Sequence, residues 1–179
     1  MDGKKAQHEI AGFVLIVLLV SVIGVVFLSL LFARGTTSEQ KSFEISRLLE
    51  SSMYTTSDCS VNYIYQYRDI NDLIKECYAT KKGNVRECLN GEEVCDVLQK
   101  DLKNILDSSL DVGDDSVNRG YNLNIYYSYG DTSNPNEQIL TMGEGFFSNC
   151  TSIVGGGHSI AAGSFGFGII ETELKVCKG

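Results

Sequence analysis

The sequence predicts an α+β protein: a single N-terminal transmembrane helix, followed by helices and a small antiparallel sheet, tied together by disulfides. Three observations predict it. An apolar run without a charged residue covers Ile10–Ala33. Beyond it, apolar residues recur at helical spacing from Phe43 to Leu110 and then alternate at strand spacing from Tyr121 to Val176. Six cysteines all follow the apolar run. Helices first and strands afterwards favour a sheet with helices on one face over an alternating α/β fold. The expected divisions are a cytoplasmic basic leader at 1–9, the transmembrane helix at 10–33, a helical part of an external domain at 34–115 and a β-rich part at 116–179.

As a helix, Ile10–Ala33 extends roughly 36 Å at about 1.5 Å per residue, enough for a hydrocarbon core of about 30 Å. A removable secretory signal has a shorter apolar stretch, about 7–15 residues, and a small-residue cleavage site. Ser-Leu-Leu-Phe-Ala-Arg is a poor one. Lys4 and Lys5 precede the run and Arg34 follows it, which favours an internal N-terminus and an external C-terminal domain, with the lipid bilayer of the cell membrane as the first partner.

The elements after the run follow in order. Phe43, Ile45, Leu48 and Leu49 continue a helical pattern to about Tyr54, either directly from the first helix or after a break near Gly35, with Thr36, Thr37 and Ser38 as available caps. SSMYTTSDCSVN reads as turns. Ile70, Leu73, Ile74 and Cys77 define an amphipathic helix capped by Asp69. KKGNVRECLNGEE reads as a loop. Val94, Val97, Leu98, Leu102, Ile105, Leu106 and Leu110 keep one apolar face, with Glu92 and Glu93 at the positive end of that helix. DVGDDSVNRG ends it. YNLNIYYSYG reads as a strand, DTSNPNE as a turn, QILTM as a second strand, GGGHSIAAGSFGFG as an external loop, and IIETELKV as a last strand with Ile170, Thr172, Leu174 and Val176 on one face.

The chain has 179 residues and a formal net charge of −8. All of that excess lies beyond residue 33, because Asp2 and Glu9 offset Lys4 and Lys5. An acidic external domain does not fit nucleic acid, whose binding needs clustered Lys and Arg. Cys59, Cys77, Cys88, Cys95, Cys150 and Cys177 are even in number and include no C-x-x-C, and the two histidines, His8 and His158, supply no zinc set. Disulfides in an oxidising compartment are the expectation. Local spacing favours Cys88–Cys95 and Cys150–Cys177, which leaves Cys59–Cys77 by elimination.

KKAQHEIAGFVLIVLL combines two lysines, a small residue, Gln7, an early glutamate and an unbroken apolar helix. It resembles the class III signal of archaeal type IV pilin-like proteins, over about the first 30 residues. The resemblance implies that a prepilin-type peptidase cuts after Ala6, that Gln7 becomes the N-terminus, and that the helix stays on the mature subunit and bundles with like or related pilin-like subunits. Glu9 would pair with a neighbour's new amino terminus. Two departures stand out: Ala6 replaces the commoner glycine, and Glu9 is third rather than fifth in the mature chain. The implied role is structural, in a pilus-like surface filament whose external domain makes contact or adheres. The alternative is a membrane-anchored extracellular binding module that does not assemble.

No other pattern points to chemistry. Asp111, Asp114 and Asp115 lack EF-hand spacing and read as a solvated helix end. The glycine run lacks the lysine and spacing of a phosphate loop and reads as flexible surface, with Phe165 and Phe167 as contact residues and His158 exposed. Tyr63, Tyr65 and Tyr67, with Tyr126, Tyr127 and Tyr129, read as core and strand residues before sugar platforms. Asn149-Cys150-Thr151 fits the N-glycosylation pattern. No nucleophile, acid–base pair or metal set emerges, so neither an enzyme nor a cofactor is expected.

Overall fold

The computed structural model describes residues 3–33, 38–61, 66–129, 135–165 and 167–179, with side chains over 14–29, 41–61, 66–129, 135–164 and 167–179. The chain divides into two units, Met1–Thr37 and Ser38–Gly179.

The first unit is helix α1, Gly3–Ala33. The expectation of a membrane-spanning helix over Ile10–Ala33 is not met: among the described residues no helix is long and apolar enough to cross a membrane. The capping and break expected at Gly35–Thr37 lie outside the described residues.

The second unit opens with α2, Ser38–Met53. Its core stripe is Ile45, Leu49 and Met53, all buried and one turn apart. Two short strands follow, β1 at Thr56–Ser60 and β2 at Tyr67–Asp69, paired antiparallel. SSMYTTSDCSVN is therefore not only turns. β1 escapes a reading by hydrophobic alternation because its inward positions are the small polar Ser57 and Ser60 and the half-cystine Cys59. Helix α3, Ile70–Lys81, begins where expected: the Asp72 N–H donates to the Asp69 carboxylate at 2.8 Å. Helix α4, Val94–Leu110, buries Val94, Val97, Leu98, Leu102, Leu106 and Leu110 and ends at Asp111 in the left-handed conformation, φ 42°. The helix-to-strand turn closes as the Asn118 side-chain amide donates to the Leu110 carbonyl.

The main sheet has four antiparallel strands: β3 (Asn118–Ser128), β4 (Glu137–Gly145), β5 (Ser152–Ala161) and β6 (Ile169–Lys178). They lie in the order β4-β3-β6-β5. Leu123 pairs with Leu174 and with Met142, while Val176 pairs with Val154 and Ile170 with Ile160. These residues form the inner face, where α2, α3 and α4 complete one hydrophobic core. Ile170, Thr172, Leu174 and Val176 are all buried, as the alternation in IIETELKV predicts.

The glycine run is not an external loop. GGGHSIA forms most of β5 and pairs along its length with β6. The glycines serve close approach: a Cβ on Gly156 would stand 2.5 Å from the Ser46 backbone nitrogen, and the Ser42 hydroxyl donates to the Gly155 carbonyl. Helix α2 therefore rests on β5 backbone to backbone, which no residue with a side chain at 156 permits.

Three disulfides lock the second unit: Cys59–Cys88, Cys77–Cys95 and Cys150–Cys177. The third is the expected pair; the other two replace Cys88–Cys95 and Cys59–Cys77. Cys77 lies on the buried face of α3 and Cys95 in the first turn of α4, so helix packing brings their Cα atoms to 4.8 Å. The intervening loop doubles back through a bridge between Glu87 and Glu93 and turns Cys88 toward β1, 5.2 Å from Cys59 between Cα atoms.

Candidate assembly surface

From Val14 to Leu28, helix α1 exposes 13 large apolar side chains, among them Leu15 at 64% and Phe27 at 61%. They lie on every side of the helix rather than on one stripe, the pattern of a helix that is enclosed by neighbours. The two hydroxyls in this stretch add no polar face. Ser21 donates to the Val17 carbonyl and Ser29 to the Val25 carbonyl, each at 2.8 Å, so both are satisfied inside the helix. A Cβ on Gly24 would meet nothing within 4 Å, which leaves a notch where another backbone can come close. Ala6, Gln7 and Glu9 belong to the α1 backbone, and their side chains lie outside the described residues.

The outer face of the sheet is polar and bonded to itself. Asn124 donates to Asn122 at 2.7 Å, Thr141 donates to Asn124 at 3.0 Å, and the Tyr126 hydroxyl donates to Glu171 at 2.8 Å. That last bond, assisted by burial, raises the Tyr126 phenol to about 12. A cleft of about 490 Å³ lies beside α2 and β5, with Ser42, Ser46, His158 and Glu171 on its walls. His158 is not on a loop: it is a half-buried residue of β5 opposite Thr172. No three His, Cys, Asp or Glu side chains among the described residues are placed to hold a metal ion. Asp111, Asp114 and Asp115 stay at the end of α4, where Asp111 caps the helix.

The tyrosines divide. Tyr63, Tyr65 and Phe165 carry side chains outside the described residues, whereas Tyr67 is exposed. Tyr127 stacks on Tyr78 of α3 with ring centres 4.6 Å apart and meets Tyr129 edge-on at 4.8 Å. Glu137 at the start of β4 ties this cluster to α3. It pairs with Lys82 at 2.5 Å and accepts the hydroxyls of Tyr129 and, at 3.5 Å, Tyr78. The Lys82 and Tyr129 contacts hold the Glu137 carboxyl below its usual range, and Lys82 is pushed up in return. Burial, then the Glu137 charge, lifts Tyr78 to about 12. Both stacked rings are buried. The cluster joins helix to sheet rather than offering a platform.

Asn149 is exposed at a positive φ of 65° in the turn between β4 and β5. Phe146 and Phe147 stand beside it, 65% and 39% exposed. Their place before a turn residue gives no periodic signal, so alternation alone does not reveal them as surface. Phe43 in α2 and Tyr54 just beyond it are exposed at 55% and 63%. The spacing of Phe43 with Ile45, Leu48 and Leu49 does not separate it from the core stripe. No protein-family model, curated protein or solved structure matches this chain.

Proposed function

We propose that the protein is a structural subunit of a pilus-like surface filament, in which α1 packs among the α1 helices of other copies. The observation that supports it is the apolar surface of α1, exposed on all sides from Val14 to Leu28. The described core of the second unit is formed by α2–α4 and the sheet. Burying a large aliphatic or aromatic side chain is worth about 1.5–3 kcal/mol. Covering even half of this surface therefore contributes on the order of 10 kcal/mol before the cost of association.

In this reading a prepilin-type peptidase removes the leader after Ala6, and Gln7 becomes the first residue. The Glu9 carboxylate neutralises a neighbour's amino terminus within the apolar bundle, where an unpaired charge is costly. The disulfide-locked second unit faces outward; its three bridges suit an oxidising exterior.

The test is to express the full chain with a prepilin-type peptidase, read its N-terminal residue by mass spectrometry and look for filaments by electron microscopy. A start at Gln7 and peptidase-dependent filaments are expected, both lost in Ala6→Leu. A chain that keeps Met1 or Asp2, or that is processed and stays monomeric, overturns the proposal.

A further inference from the structure

We infer that Asn149 carries an N-linked glycan whose first sugar rests on the ring of Phe147. Asn149-Cys150-Thr151 is the chain's only N-x-S/T sequence. Asn149 occupies the turn with φ 65°, a left-handed conformation that asparagine tolerates better than most residues. The turn is tight, because the Cys150 sulfur lies 3.2 Å from the Phe147 carbonyl oxygen. Phe147 precedes the acceptor by two residues and is 39% exposed. A pyranose has one face of C–H bonds, and an aromatic ring two residues before the acceptor offers that face an apolar seat. The inference rests on the oxidising compartment that the disulfides indicate and is independent of filament formation.

The order of events also follows. In the folded protein the Thr151 hydroxyl donates to the carbonyls of Lys178 at 3.1 Å and Gly179 at 3.2 Å. Its N–H donates to Lys178 at 2.8 Å, and Cys150 is bonded to Cys177. A transferase that must engage the threonine hydroxyl beside the acceptor finds it occupied. Transfer therefore precedes closure of Cys150–Cys177. In the step itself, Asn149 Nδ2 bonds to the anomeric carbon of a lipid-linked oligosaccharide. The bond from that carbon to the carrier's phosphate oxygen breaks, the lipid phosphate leaves, and the amide releases one proton.

The experiment uses the full chain in a host with an oligosaccharyltransferase and its lipid-linked oligosaccharide. Peptide mass spectrometry is expected to find the glycan on Asn149 and to find none in Asn149→Gln. Pulse labelling is expected to show it on chains still reduced at Cys150. Enzymatic removal is expected to lower the Tm of the wild-type protein by about 2–4 °C and to leave Phe147→Ala unchanged. An unmodified Asn149 in the wild-type chain overturns the proposal. Glycan appearing only after Cys150 is oxidised overturns the order, and an equal Tm loss in Phe147→Ala overturns the role of the ring.

Discussion

Gly156 of β5 lies against Ser46 of α2 so closely that an added Cβ would sit 2.5 Å from the Ser46 nitrogen and 2.7 Å from its hydroxyl. The obstacle is backbone as well as side chain, so no rotamer change relieves it. Gly156→Val should destabilise the protein by about 1–3 kcal/mol, the usual cost of forcing volume into a packed contact. Gly157→Ala is the control. Its Cβ meets only the Thr172 carbonyl at 3.5 Å, an ordinary contact, and its effect should stay within about 0.5 kcal/mol. Denaturant unfolding of the two variants checks the difference.

Each disulfide closes a loop of similar length, with sequence separations of 29, 18 and 27 residues. Replacing both cysteines of any one pair by serine should cost about 3–4 kcal/mol by the loop-entropy relation. Peptide mapping without reduction should recover Cys59 with Cys88 and Cys77 with Cys95. A Cys88–Cys95 peptide would mean that α4 does not dock on α3 as described.

Glu137 has a carboxyl pKa held below its unfolded value, chiefly by its bond to Lys82. Its stabilising effect is present above the unfolded carboxylate range and is lost as pH falls through the depressed folded value. Glu137→Gln should therefore flatten the acid side of the stability–pH profile below about pH 4.5. Urea midpoints at several pH values make the comparison.

Tyr78 and Tyr126 are both raised to about 12, the first mainly by burial and the second mainly by its bond to Glu171. A raised phenol pKa favours the protonated folded state, so this stability is complete below about pH 10 and is lost as pH climbs toward the folded values. Ultraviolet titration should show both among the late-titrating phenols, alongside Tyr121 and Tyr129. Glu171→Gln should advance the Tyr126 phase and leave the Tyr78 phase in place.

Asp69→Ala removes the side chain that accepts the Asp72 N–H at the start of α3. A loss of about 1 kcal/mol is expected, with the rest of the fold retained. Thermal unfolding followed by circular dichroism measures it.

The elements legible in the sequence are those whose own periodicity points to their neighbours. α3 shows in Ile70, Leu73, Ile74 and Cys77, α4 in its long apolar face, and β6 in strict alternation, because each buries one face against a broad core. β5 was not legible. Glycine at 155–157 resembles a flexible connection in any one-dimensional reading, and only the helix lying on Gly156 explains it. The short β1 hides for a related reason, its inward positions being serine and cystine. The cystine pairing depends on which helix faces meet, a property of tertiary packing that spacing does not contain. Of the candidate site, the apolar character of α1 is plain in the sequence. The exposure of Phe147 beside Asn149 is not, because it follows from the turn.

The order of the disulfide loops along the chain has a mechanical consequence. Cys59 is the first bridged residue, so α2 lies upstream of every covalent lock. Tension entering the second unit at Ser38 meets no covalent lock before Cys59, and must draw Ile45, Leu49 and Met53 out of the core to get there. Fully extended, Ser38–Asp58 spans roughly 70 Å at about 3.4 Å per residue. Beyond it, the interlocked loops of Cys59–Cys88 and Cys77–Cys95 resist further extension. The covalent locks therefore protect the chain only from Cys59 onward, and upstream of it α2 is held by non-covalent packing alone.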